Sequence, residues 1–395
     1  MPTHPRAAAR PAAPRVVIAH DYLTQKGGAE RVVLAMLEAF PDARVVTTMY
    51  NPSTTFPEFR RHRVESLWPG RLKVLRDDPR RALPVLARAV SRHRIDDADV
   101  VLASSSGWAH GFPTDAPKIV YCHNPARWLH VAEDYLPNVP PHARLALRAL
   151  EPRLLEWDRA AARTATRYLA NSTVVQRRVR RAYGIEAGLL HPPTGIDPDG
   201  AQQPVPGVEP GFLLTVARAR CYKNTRVVCE AVAAMPHVRL VVVGGAAEPG
   251  EPTPSNILRL RDLTDAQLRW LYAHAAGLVG VSHEDFGLTP VEAYSFGVPS
   301  VLLRAGGYLD SSVEGLTTVF VDAVDADELR AGIETLLATA WQPAAIRRHA
   351  DKFSAASFGA ALHQEVRRVL PVPALSDAAI VRPRTEPVVA SLEHA

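Results

Sequence analysis

Short apolar runs alternate along most of the chain with longer stretches whose apolar positions recur every three or four residues. That alternation marks βαβ units, because a parallel strand buried on both faces reads as a continuous apolar run and its crossover reads as an amphipathic helix. Residues 15–20 (RVVIAH) are the first such run. The Gly27-Gly28 turn then opens a predicted helix with Val33, Met36, Leu37 and Phe40 at i, i+3, i+4 and i+7 on one face. Strands predicted at 100–103, 118–122 and 168–170 complete one α/β domain over residues 15–200. Around residues 201–211 Pro198, Pro204, Pro206 and Pro210 accumulate among few apolar residues, the composition of a linker. Strands at 212–216, 239–244, 277–281, 300–303 and 318–321 then make a second α/β domain over 212–352. Helical periodicity returns over 353–370, where a C-terminal helix is expected to pack back on the first domain. Residues 1–14 and 371–395 have little periodicity and are expected to be a disordered N-terminal tail and a loose C-terminal one. Two open α/β domains in tandem leave a cleft between the carboxyl ends of their sheets, where ligands of this class bind.

Composition agrees with two cores rather than one, since 395 residues exceed what a single core organises. With 47% hydrophobic and 22% charged residues, a mostly disordered or fibrous chain is excluded. No stretch approaches the roughly 18 uninterrupted apolar residues of a membrane span, and the segment up to Pro14 lacks the apolar centre of a signal peptide. A cytoplasmic location is therefore expected. Cys122, Cys221 and Cys229 are too few and too irregularly spaced for a disulfide framework or zinc cluster, as in a reducing compartment.

The net charge of +5 is uneven, because the segment that begins at Arg60 and ends at Arg94 holds eleven Lys or Arg against three acids. A patch of that balance suits an anionic membrane surface or a lipid diphosphate, with a solvated arginine-rich helix face as the alternative. Nucleic acid is disfavoured, since Trp68 is the one aromatic ring there for stacking.

No Gly-x-Gly-x-x-Gly follows a strand and no Gly-Lys-Ser or Gly-Lys-Thr occurs, so a dinucleotide dehydrogenase and a P-loop NTPase lose support. More specific is EDFGLTPVE, in which Glu284 and Glu292 stand with seven residues between them directly after a predicted strand. This stretch resembles the signature of retaining nucleotide-sugar glycosyltransferases of the GT-B fold, in the large family numbered 4. Gly27-Gly28-Ala29-Glu30 resembles that family's first glycine loop, and His123 in Tyr-Cys-His-Asn-Pro its cleft histidine. Arg218 and Lys223 resemble its basic pair, although Ala217 stands where many members carry glycine. Gly306-Gly307-Tyr-Leu-Asp310 resembles a late loop that more often ends in glutamate.

The resemblance implies two Rossmann-like domains facing across the cleft and transfer of a hexose from a nucleoside-diphosphate sugar to an acceptor hydroxyl, with retention. Gly27 and Gly28 would admit backbone N–H groups to the diphosphate at a helix start, or form a plain tight turn. Arg218 and Lys223 would stabilise the leaving diphosphate, or make surface salt bridges. Glu284, with the backbone of Phe286, Gly287 and Leu288, would hold the sugar. Glu292 would take the ribose, although Thr289, Pro290 and Glu292 also fit a capping box. His123 would hydrogen-bond the donor sugar or be a satisfied turn histidine, and Asp310 would lie near the sugar or diphosphate. Asp325 and Asp327 look like a metal-binding Asp-x-Asp, but Asp325 with Glu328 fits a helix-start capping box better. No metal and no cofactor beyond the donor is implied. Trp108, Arg127 and Trp128 flank cleft loops, where they would contact an acceptor or merely pack.

GDP-mannose is the first donor suggested, by the resemblance of His-Asp-Tyr-Leu before the glycine loop to mannosyl and related transferases of surface polysaccharide assembly, with UDP-sugars open. The acceptor is a glycan, lipid-linked or small molecule. The rivals are a binding protein that has lost catalysis and a same-fold glycan phosphorylase. The first would show a broken Arg218, Lys223 or Glu284, and the second needs a pyridoxal-binding lysine where only Lys223 precedes Lys352.

Overall fold

The apolar runs become two parallel sheets in a computed structural model that describes residues 14–77, 79–130, 141–216, 223–244 and 254–370. Residues 1–13 of the expected N-terminal tail, all of the expected C-terminal one, Arg218 and Cys221 lie outside the described residues. The first sheet holds β1 (Val16–His20), β2 (Arg44–Thr47), β3 (Val64–Ser66), β4 (Val100–Ser105), β5 (Lys118–Cys122), β6 (Arg167–Ala170) and β7 (Gly188–Leu189), in the order β3-β2-β1-β4-β5-β6-β7. The second holds β8 (Phe212–Val216), β9 (Leu240–Val243), β10 (Ile257–Leu260), β11 (Ala275–Gly280), β12 (Ser300–Leu303) and β13 (Thr318–Val321), in the order β10-β9-β8-β11-β12-β13. Every pairing is parallel, for instance Val17 of β1 beside Val101 of β4. The architecture is two Rossmann-like domains. Four strands, β2, β3, β7 and β10, go beyond the runs read from the sequence; all are at or next to a sheet edge and two to four residues long.

The helices of eight or more described residues are α1 (Gly28–Ala39), α2 (Leu83–Ser91), α3 (Pro141–Arg163), α4 (Thr173–Tyr183), α5 (Thr225–Ala233), α6 (Asp265–His274), α7 (Leu288–Ser295), α8 (Ala326–Ala338), α9 (Pro343–Ala350) and α10 (Ala355–Val369). Val33, Met36 and Leu37 of α1 are buried with Ile18 and Val45, as a helix covering one face of a parallel sheet requires. On the same face lie Phe358, Leu362 and Val366 of α10, so the last described helix is part of the first domain's core. Each of those side chains contributes roughly 1.5–3 kcal/mol by leaving water. Arg167 of β6 adds a 2.9 Å ion pair to Glu365.

The proline-rich connection is no slack tether. Val205 and Val208 are buried against Phe212 and Leu271 of the second domain, Gln203 N–H donates to the Ala266 carbonyl at 3.0 Å, and Arg269 bonds the carbonyls of Asp197 and Ala201. Its few apolar residues are spent on one domain's core.

Candidate functional site

In an open parallel sheet, the loops on either side of the point where strand order reverses diverge and leave a crevice at the carboxyl ends of the strands. In the second sheet that point lies between β8 and β11, and Lys223 and Glu284 follow those two strands. In the first it lies between β1 and β4; Gly27 and Gly28 follow β1, and His123 directly follows β5. The fold thus brings residues from four separated segments to one cleft.

Lys223 Nζ and Glu284 Oε1 form a hydrogen-bonded ion pair, and Ser282 Oγ donates to the same oxygen at 2.7 Å. Ser282 is in turn 3.0 Å from the Tyr308 hydroxyl. Asn224, left-handed at φ +50°, donates from its side chain to the Val281 carbonyl at 2.7 Å and so ties the Lys223 loop to the Glu284 loop. The Gly306-Gly307 pair lets a third loop press against the second: Gly307 N–H donates to the Glu284 carbonyl at 2.9 Å, and a Cβ on Gly307 would lie 2.2 Å from Phe286 Cα. Gly287, at φ +84°, turns the chain beside the Tyr308 ring.

For Glu292 the capping-box alternative is not met. Gly287 is the N-cap and α7 begins at Leu288 without a side-chain cap, so the Thr289–Glu292 capping box does not form. The early start places Glu292 on the buried face of the helix, where Tyr272 Oη donates to Oε2 at 2.7 Å and the Gly195 N–H also bonds the carboxylate. Burial is the main cause that raises its pKa above the ordinary carboxylate range. Phe286 is also buried, stacked on His191 at 5.2 Å, and shares a small apolar cluster with Val291, Leu288 and Phe353.

Across the cleft, Gly28 comes so near the start of α7 that a Cβ on it would lie 3.1 Å from Leu288 Cδ1. The positive end of α1 therefore meets the loop that carries Glu284. His123 Nε2 is 2.8 Å from Ser104 Oγ, which is 3.1 Å from His20 Nδ1. Burial, then the neighbouring His20, pushes the His123 pKa down to about 3, so the ring is neutral at physiological pH. Asp310 reaches the first domain: its carboxylate accepts from Thr173 N at 3.2 Å and Thr173 Oγ1 at 2.9 Å, at the start of α4.

Trp108 is buried in the first domain's core against Trp157, which answers its expected alternatives in favour of packing. Arg127 pairs with Asp285, and the Trp128 side chain lies outside the described residues. Asp325 caps α8, accepting from Asp327 N at 2.9 Å and Glu328 N at 3.0 Å. Glu328 bonds the N–H groups of Asp322 and Ala323, so the reciprocal half of the expected box is displaced. Among the described residues no three His, Cys, Asp or Glu side chains gather as a metal site needs. Sequence reasoning did not single out Asp21, whose carboxylate accepts from the N–H groups of Ser106, Trp108 and Ala109 and fixes the loop after β4. It also passed over Asp285 and Arg178, which pair across the cleft.

Two family descriptions match the chain in tandem: Glycosyltransferase Family 4 over residues 26–199 and Glycosyl transferases group 1 over residues 201–353. The chain belongs to these glycosyltransferases. A D-inositol 3-phosphate glycosyltransferase of Mycobacterium sp. (strain KMS) is 30% identical over 193 residues, 42% of this chain and 43% of that protein. The protein of the same name from Mycobacterium bovis (strain BCG / Pasteur 1173P2) is 29% identical over 183 residues, 41% and 38% of the two chains. The match thus spans less than half the length of these curated relatives. Among solved structures, Anabaena Alr3699/HepE in complex with UDP-glucose has a TM-score of 0.65 at 18% identity, over 89% of this glycosyltransferase chain and 99% of that one. The sucrose-phosphate synthase of Thermosynechococcus elongatus has a TM-score of 0.65 at 17% identity, over 90% and 98%. At such identities the likeness is one of fold, GT-B.

Proposed function

We propose that this glycosyltransferase moves a hexose from a nucleoside-diphosphate sugar to an acceptor hydroxyl with retention at the anomeric carbon, without a metal ion. The observation that carries the reading is the Lys223–Glu284 pair at the strand-order reversal of the second sheet, facing Gly28 and α1 across the cleft. Each partner holds a stand-in for part of a donor. The diphosphate supplies the anion that Glu284 gives Lys223, and sugar hydroxyls supply the donors that Lys223 and Ser282 give Glu284.

In this reading Lys223, with Arg218, stabilises charge building on the departing diphosphate, and the amides at Gly27 and Gly28 add the positive end of α1. Glu284 and the backbone of Phe286, Gly287 and Leu288 hold the sugar. Glu292, steadied by Tyr272, takes the ribose. Neutral His123 hydrogen-bonds the sugar rather than moving a proton. The acceptor oxygen enters on the face the diphosphate leaves, and fixed cations supply what a divalent ion otherwise would.

The acceptor is a glycan, a lipid-linked oligosaccharide or a small molecule; inositol phosphate, in the mycobacterial relatives' name, is one to try first. GDP-mannose and UDP-glucose are the first donors to test, the latter being the ligand of HepE. A cytoplasmic location fits the three irregularly spaced cysteines of the chain, too few for a disulfide framework. Exposed Trp68, Leu72 and Val74, beside exposed Arg71 and Lys73, suit contact with the inner membrane face. Proton NMR of early product from a defined donor, with and without EDTA, tests the reading. Retained anomeric configuration and undiminished rate in chelator are expected; inverted product, or activity restored only by magnesium or manganese, refutes it.

A further inference from the structure

Asp285 lies between Glu284 and Phe286, inside the loop that faces the first domain. Its carboxylate bonds two first-domain guanidiniums, Arg127 through Oδ2 and Arg178 through Oδ1. The Asn124 amide, in the orientation its neighbours favour, accepts from Arg127 Nε at 2.6 Å and Arg178 Nη1 at 3.1 Å, and so sets both guanidiniums. Asn124 is 5% exposed and directly follows His123. A second carboxylate works the same helix from the same side. Arg178 lies on α4, and Asp310 bonds the N–H and hydroxyl of Thr173 at its start. The two acidic loops act as one body, because Gly307 donates to the Glu284 carbonyl and leaves no room for a side chain between them.

We propose that Asp285 is a positioning residue that, with Asp310, clasps the second domain to α4 and to the segment after His123. The clasp holds His123 in register with the Lys223–Glu284 pair and so sets the approach of the sugar to the acceptor. Asp285 touches no reacting atom. This inference rests on the function proposed above. Its physical basis is that charge-assisted hydrogen bonds at partly buried groups fix geometry, and a misplacement of about 1 Å between reacting groups costs up to about 100-fold in rate.

The test compares the full-length wild type with Asp285→Asn, Arg178→Gln and the double variant. Asp285→Asn keeps size and loses charge. A fall in kcat of about tenfold or more is expected, with donor Kd by calorimetry weakened by a clearly smaller factor, because Lys223, Glu284 and Glu292 belong to the second domain and only Gly27, Gly28 and His123 reach the donor from the first. The double variant should be no slower than the worse single one, and Asp285→Glu should recover part of the rate. An unchanged kcat in Asp285→Asn, additive losses in the double variant, or a loss of rate matched by loss of donor binding overturns the clasp. Small-angle scattering of Asp285→Asn/Asp310→Asn without substrate reads the clasp independently of turnover. A larger maximum dimension than wild type is expected, and an identical profile overturns it. A wild type that transfers no sugar refutes the function while leaving the scattering result to decide the clasp.

Discussion

A histidine enclosed as His123 is does not readily hold a charge, and its pKa near 3 follows from burial first and from His20 second. The unfolded chain protonates this group near 6.5, so between about pH 6.5 and 3 unfolding takes up a proton that the folded protein does not bind. Stability from this one group is therefore complete above pH 6.5 and falls, by up to about 1.4 kcal/mol per pH unit, as pH drops toward 3. We expect His123→Gln, which can still bond Ser104, to flatten that dependence. Urea unfolding at pH 6.5 and pH 5 should find the wild type losing about 1.5 kcal/mol more than the variant over that interval. Parallel pH dependences for the two proteins contradict a ring held neutral by the fold. The same neutrality is what the proposed function asks of His123, a hydrogen-bond partner for the sugar and no carrier of a proton.

At the scale of elements, the site depends on backbone contact between the loop that carries Glu284 and the one that begins at Gly306. A Cβ on Gly307 meets the Phe286 Cα and the Asp285 carbonyl oxygen, at 2.2 and 2.4 Å, and neither can swing aside as a side-chain tip can. Gly307→Ala is expected to cost about 1–3 kcal/mol through overpacking and to weaken donor binding along with it. Gly315→Ala is the control, at φ +70° in open space, where a loss of about 1–2 kcal/mol comes from left-handed backbone alone and donor affinity is kept. Denaturation midpoints with calorimetric donor titration separate the two, and equal donor affinity in both variants removes the packing argument. That apposition was half legible in the sequence. The glycine pair and EDFGLTPVE were visible as motifs, but their contact follows from tertiary folding. Long apolar runs such as residues 15–20 and 212–216 announced their strands because parallel strands are buried on both faces, whereas β3 (VES) and β7 (GL) are too short and polar to show a period. The capping box failed because left-handed Gly287 starts α7 before Thr289 and turns Glu292 inward to Tyr272. Asp285 was invisible because both of its guanidinium partners lie more than 100 residues away in the chain.

The whole molecule joins its two domains at several points, and it also carries a surface that neither core explains. Arg31 of α1 bonds the Gly195 carbonyl and lies 3.7 Å from Asp265, Asp310 holds α4, and α10 runs back into the first domain's core. Trp68, Leu72 and Val74 take no part in this, at 48%, 51% and 60% exposed. They stand in the segment whose charge balance is +8, with Arg61, Arg63, Arg71 and Lys73 exposed around them. Not all of the segment's charge is open to a partner, since Arg94 pairs with Asp96 and Asp115. Among the described residues no helix is long and apolar enough to cross a membrane. Apolar side chains ringed by cations suit an anionic bilayer, where each cation near the surface is worth about 1 kcal/mol and each apolar chain that leaves water adds about 1.5–3 kcal/mol. Co-sedimentation with phosphatidylglycerol vesicles at low salt is the expected outcome, weakening as salt shortens the Debye length to about 10 Å at 0.1 M and below that at higher ionic strength. Trp68→Ala with Leu72→Ala should reduce the bound fraction about tenfold or more while leaving unfolding unchanged, because neither side chain is buried. Arg71→Glu with Lys73→Glu should abolish the preference for anionic over neutral vesicles. Equal sedimentation with both vesicle types, or none at low salt, would assign the segment to a solvated arginine-rich face and leave the two domains to find their acceptor without a membrane.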